Sequence, residues 1–107
     1  MIDKELKGVG KEVVLHERAL KEARKLKRDH NFLLRVSINK LKLGKGDTKA
    51  IVGVSQMSEL RLNKRPAWRT YFTETDIQCI IWAFGLKDTQ DRDIEKAKKR
   101  YRKDGYS

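Results

Sequence analysis

Hydrophobic and polar positions alternate most clearly between Ser58 and Lys87, in SELRLNKRPAWRTYFTETDIQCIIWAFGLK. Leu60 and Leu62 alternate with Glu59, Arg61 and Asn63, the two-residue period of a strand with one buried face. NKRP follows as a turn, since Pro66 lacks the N–H that a sheet ladder uses. Trp68, Thr70 and Phe72 then alternate with Arg69 and Tyr71, TETD makes a second turn, and Ile77 to Phe84 is a nearly unbroken apolar run suited to a central strand.

Upstream, KEVVLH at Lys11–His16 is β-branched at its centre and predicts a short strand. From Glu17 the period becomes helical, with Ala19, Leu20, Ala23 and Leu26 on one stripe. KRDHN interrupts it. Asp29 or Asn31 is placed to cap a second helix whose face carries Leu34, Ile38 and Leu41 and which Gly44 closes. Residues 45–56 read as a connection, and Met1–Gly10 as a loosely held leader. A last helix begins at an Asp88 or Thr89 cap, with Asp91 and Asp93 in its first turn, where the helix dipole favours anions. Ile94, Ala97 and Tyr101 form its apolar stripe, and Lys96, Lys98, Lys99, Arg100, Arg102 and Lys103 cover the remainder. The order is strand, two helices, three strands, helix: a single α+β domain.

Side chains two apart share a sheet face. With Leu60, Leu62, Trp68 and Phe72 turned to the core, Arg61, Arg69 and Tyr71 project together from the other face. That trio is either the ordinary polar side of a half-buried sheet or an anion-binding surface, and alternation does not choose between them.

Charge narrows the partner. The chain of 107 residues carries a formal charge of +11, which favours a polyanion such as nucleic acid or the ribosome, or an acidic protein. Its lone cysteine, Cys79, excludes an intrachain disulfide, and one Cys with two distant His does not make a zinc set. The absence of a glycine-rich phosphate loop argues against a nucleotide hydrolase, and no signal peptide or membrane span is evident, so the expected location is the cytoplasm.

Three stretches carry a family likeness. ELRLNKRPAWRTYF resembles the Glu-Leu-Arg, Gly-Pro-Gly-Tyr-Arg, Val-Tyr-Phe pattern of phage-associated, HigB-like addiction module killer proteins in the RelE/ParE toxin superfamily. LKDTQDRDIEKAK is similar to that branch's Asp-Lys-Ser-x-Gln-x-Asp-Ile-x-x-Ala ending, and VVLHERALKEARKL looks like the superfamily's opening strand and helix. Arg65 and Ala67 stand where the branch has glycines, and Trp68 where it has tyrosine.

The resemblance implies a RelE-like fold: one twisted, largely antiparallel sheet of about four strands, two N-terminal helices on one face, and a C-terminal helix. It implies a type II toxin that cleaves mRNA on the ribosome without a cofactor or metal. A cognate antitoxin, commonly a small helix-turn-helix protein, would neutralise it, and no membrane partner is implied. ParE-like members poison DNA gyrase instead, and a non-catalytic basic domain that binds RNA or ribosomes is the reading from another class.

For RNA cleavage, Arg61, Arg69 and Lys87 are the candidates to stabilise phosphorane charge. Tyr71 and Tyr101 would serve as acid or base only with a pKa lowered by cations, and His16 has a suitable intrinsic pKa but ends a strand at unknown distance. Lys64, Arg65, Lys98, Lys99 and Arg102 are the expected RNA or ribosome contacts. Trp68 would stack on a base if exposed, whereas alternation puts it in the core.

Overall fold

The computed structural model describes residues 11–54 and 56–105; the expected leader, Met1–Gly10, lies outside the described residues. Strand β1 (Glu12–Leu15) leads to helices α1 (Glu17–Ala23) and α2 (Arg28–Lys42). Strands β2 (Asp47–Ala50), β3 (Met57–Leu62), β4 (Trp68–Glu74) and β5 (Gln78–Leu86) follow. A short 3-10 turn (Lys87–Thr89) then runs into helix α3 (Gln90–Asp104). The five strands form one sheet in the order β1-β5-β4-β3-β2. Only β1 runs parallel to its neighbour; the other pairings are antiparallel.

The fifth strand corrects the expected connection over residues 45–56. β2 is exposed along its whole length, so Asp-Thr-Lys-Ala shows no alternation to read. It is a strand because the β3 edge offers it a ladder, pairing Asp47 with Arg61 and Ala50 with Ser58. Other boundaries also move. Lys27 is the N-cap of α2, without a side-chain cap, so Asp29 and Asn31 lie inside the helix. Leu20 and Ile77 are exposed rather than core. Gly44 does close α2, in the left-handed conformation at φ 67°.

Both sheet faces are covered. Leu60, Trp68, Phe72, Ile81 and Phe84 pack with Ala19 of α1 and with Leu34 and Leu41 of α2. Met57, Tyr71, Trp82 and Ala83 pack with Ala97 and Tyr101 of α3. Central strand β4 is therefore buried from Trp68 through Thr73. The residues that share each face are those the alternation predicts; the face assigned to solvent is instead the seat of α3.

Three features set that seat. A β-bulge opposite Tyr71 and Phe72 leaves Trp82 as the extra residue on β5, and Arg100 Nη1 donates to the Trp82 carbonyl at 2.9 Å. The same guanidinium grips Glu22 of α1 through both nitrogens, at 3.1 and 2.7 Å, and this pairing holds the Glu22 carboxyl below its ordinary range. Arg100 is thus a clamp between α1, β5 and α3, not part of a solvated cationic face. At the helix's other end, Gly85 leaves room for α3, because a Cβ there would run into the Asp93 carboxylate.

Gly85→Ala should accordingly lower stability by about 1–3 kcal/mol through overpacking. The thermal midpoint checks this, and Asp93→Ala in the same chain should restore part of the loss by removing the clashing group.

Candidate functional site

The β3–β4 register sets Arg61 directly opposite Arg69 and Glu59 opposite Tyr71. Opposed like charges repel. Glu59 answers the repulsion: its Oε2 lies 4.0 Å from the Nε of each arginine. Across the other ladder, Arg61 Nη2 donates to Asp47 Oδ1 at 2.9 Å and Asn63 Nδ2 donates to Asp47 Oδ2 at 3.1 Å. These bonds, that from Arg61 foremost, hold the Asp47 carboxyl below its usual range. Two guanidinium groups thus meet two carboxylates.

The site lies beneath the first turn of α3. Gln90 Nε2 donates to Glu59 Oε1 at 3.1 Å. Arg69 is 5% exposed, and its Nη1 donates to the carbonyls of Trp68 at 3.0 Å and Leu62 at 3.5 Å. Tyr71 is fully buried, so the expectation that Arg69 and Tyr71 project from an open face is overturned. The cause is α3, whose apolar stripe needs that face. Desolvation, reinforced by Glu59 and Asp93, pushes the Tyr71 phenol well above its ordinary pKa. The lowering by cations that a catalytic Tyr71 would need is not what this environment provides. Arg61 Nε, Arg69 Nε and the Tyr71 hydroxyl have no hydrogen-bond partner among the described residues. Next to them a groove of about 400 Å³ runs between α3 and the β2–β3 connection, lined by Glu59, Gln90, Ile94 and Lys98.

The remaining candidates divide by position. The Lys87 backbone N–H donates to the Ala67 carbonyl at 3.0 Å, which ties exposed Lys87 to the end of the β3–β4 turn carrying exposed Lys64 and Arg65. Tyr101 is at the far end of α3, eleven residues or roughly 16 Å along the helix from Gln90. It is buried against Trp82 and donates to Gln56 Oε1 at 3.1 Å, so the structure does not bring it to the arginine pair. His16 is no nearer: its Nδ1 accepts from the Arg18 N–H at 3.2 Å, capping α1, while Nε2 is 2.7 Å from Asp104 Oδ2 at the α3 C-terminus. Lys98 faces the groove and lies 3.9 Å from Glu95, whereas Lys99 and Arg102 are exposed without an ion pair among the described residues. Trp68 is core, with Nε1 donating to Thr70 Oγ1 at 3.1 Å. Glu59 and Asp47 hold the arginines, and Gln90 holds Glu59; none was singled out in advance, because cross-strand register reveals the carboxylates only once strands are paired, and Gln90 only once α3 is docked on the sheet.

No protein-family model matches the chain, and no curated protein matches it. Among solved structures it is similar to the E. coli toxin RelE, a double mutant in the free state, with a TM-score of 0.63 and 18% sequence identity over 86% of this chain and 98% of that one. The chain has a RelE-like fold.

Burial changes what substitution at Arg69 should do. Arg69→Ala should lose about 1–3 kcal/mol of stability, since Glu59 keeps only Gln90 and Arg61; urea unfolding of the purified variant checks this.

Asp93 is 3% exposed, and its Oδ2 accepts from the Thr89 hydroxyl at 2.7 Å. Desolvation outweighs that bond and the nearby Lys96 and Arg92, so its pKa is raised. A raised carboxyl pKa means the folded state binds more protons than the unfolded state. Stability therefore declines as pH rises from about 4, the unfolded carboxyl value, through the raised folded value. Asp93→Asn should abolish that decline, measured as thermal midpoint against pH.

Proposed function

We propose that this protein is a toxin of the RelE/ParE superfamily, in its HigB-like branch, that cleaves mRNA on the ribosome and is held in check by a cognate antitoxin. The observation that carries this reading is the RelE-like fold across 86% of the chain. The ELRLNKRPAWRTYF and LKDTQDRDIEKAK resemblances and the +11 charge support it. On this reading the protein works in the cytoplasm, and a small helix-turn-helix antitoxin is its partner. No helix among the described residues is long and apolar enough to cross a membrane.

The chemistry requires a 2′-hydroxyl to attack the adjacent phosphorus, charge on the phosphorane to be stabilised, and the departing 5′-oxygen to be protonated. Arg69 and Arg61 are the groups proposed to hold the non-bridging oxygens, with Lys87 approaching from the solvent side. In the closed arrangement both guanidinium groups face carboxylates, so a substrate phosphate must take over the place of Glu59. Breaking the Gln90–Glu59 hydrogen bond and lifting the first turn of α3 would open that place. Lys64, Arg65, Lys98, Lys99 and Arg102 are proposed to supply RNA and ribosome contacts. Of the acid–base candidates, Tyr71 lies beside the arginine pair but is buried, whereas Tyr101 and His16 sit toward the other end of α3.

A second reading has an observation of its own. The arginine pair is neutralised by Glu59 and Asp47, and this favours a basic RNA- or ribosome-binding domain without catalysis. Induced expression without an antitoxin separates the two. Growth arrest with new 5′ ends inside translated messages, mapped by primer extension, is the expected outcome. Intact messages in cells that grow normally would select the binding domain, and gyrase-linked DNA breaks would select a ParE-like poison.

A further inference from the structure

Helix α2 carries a second line of residues, two apolar and one cationic, beside its buried positions. Leu34, Ser37 and Leu41 are its buried positions. Phe32, Val36 and Lys40 follow one another at intervals of four, on a neighbouring line of the helix surface. Phe32 is 64% exposed. These three residues form one wall of a groove of about 490 Å³ whose opposite wall is the end of β3 and the turn after it, including Leu62, Lys64 and Arg65.

The charges around this groove are one-sided. Asp47, the acidic group in its lining, is already bonded to Arg61 and Asn63. Lys40, Lys64 and Arg65 have no ion pair or side-chain hydrogen bond among the described residues. An occupant must therefore combine negative charge with a body that suits an aromatic face and an aliphatic floor. A nucleotide has both, in its phosphate and its base. The volume is also of the size that holds one small ligand, about 300–1,000 Å³. A docked protein would need about 800 Å² of surface on each side, well beyond the groove.

We infer that this groove binds single-stranded RNA, with a base stacked on Phe32 and the flanking phosphates held by Lys40, Lys64 and Arg65. The inference rests on the RNA-directed reading above and adds a binding surface on the sheet face opposite α3. It lies beside Arg61, since Arg61 belongs to its lining. A strand seated here would approach the arginine pair from the turn end of the β3–β4 hairpin.

The test uses the full chain and a fluorescein-labelled short oligouridylate RNA, read by anisotropy. Phe32→Ala changes no charge and removes a side chain that is mostly in solvent, so the fold should persist. Loss of one stacked base should weaken binding about fivefold to a hundredfold. Lys64→Gln with Arg65→Gln should weaken binding and make its dependence on log salt concentration shallower by about 0.7 for each phosphate no longer neutralised. Phe32→Trp should retain affinity, and its indole fluorescence should be quenched on titration with unlabelled RNA. Trp68 and Trp82, both buried, give a constant background. Unchanged affinity in Phe32→Ala would overturn the inference. So would quenching of Phe32→Trp by an acidic Glu-Leu repeat peptide but not by RNA, which would make the groove a protein-docking site.

Binding to the purified chain is read without cleavage. Cut messages with Phe32-independent binding would remove the groove and leave the toxin reading, whereas Phe32-dependent binding without cuts would do the reverse.

Discussion

Two arginines set opposite one another on neighbouring strands are tolerable only with a carboxylate between them. Glu59, two residues before Arg61 on the same strand face, is where the register allows it. Much else follows from that placement. Its second oxygen faces α3 and accepts from Gln90, so the group that neutralises the arginines also receives the start of the helix that buries them. The expected open basic surface is thus a covered, nearly charge-balanced one. Arg61 Nε, Arg69 Nε and the Tyr71 hydroxyl, which have no hydrogen-bond partner among the described residues, mark where burying polar groups is costly.

Helix α3 is held unequally along its length. Toward its C-terminus, Arg100 bonds to Glu22 and to the bulged Trp82 carbonyl, Tyr101 is buried, and Asp104 meets His16. Toward its N-terminus the hydrogen bonds to the sheet among the described residues reduce to Gln90 on Glu59, beside an Asp93 whose carboxylate is desolvated against Gly85. Local opening follows the weakest interactions, so the first turn is the natural place for the arginine pair to become accessible. A phosphate would then compete with Glu59 for the guanidinium groups, an exchange of one anion for another and not the burial of a new charge.

Pairing also sorts the cations. Arg61, Arg69, Arg100, Lys96 and Lys98 each have a carboxylate within 4.0 Å. Lys40, Lys64, Arg65, Lys87, Lys99 and Arg102 do not have one among the described residues. All of the first group but Lys98, whose partner Glu95 is on its own helix, tie separate elements together, and the second group projects positive charge that no carboxylate offsets. Three of the unpaired cations gather beside exposed Phe32.

Alternation in ELRLNKRPAWRTYF was enough to divide Leu60, Leu62, Trp68 and Phe72 from Arg61, Arg69 and Tyr71, because a strand's two-residue period is a local property of the backbone. Helical period likewise located Leu34, Ile38 and Leu41, and the stripe of Ile94, Ala97 and Tyr101. What lay against each face was not local. A polar sheet face reads the same whether water or a helix covers it, so the burial of Arg69 and Tyr71 depended on α3 returning across the sheet. β2 could not be read because Asp-Thr-Lys-Ala buries nothing and becomes a strand only through the β3 ladder. His16, Arg100 and Glu59 took their roles from partners far away in the chain: Asp104, Glu22 and Gln90. Sequence determined the periodicity of each element and the sign of the whole molecule's charge; tertiary structure alone decided which charges were neutralised, because ion pairing depends on distances that the fold creates.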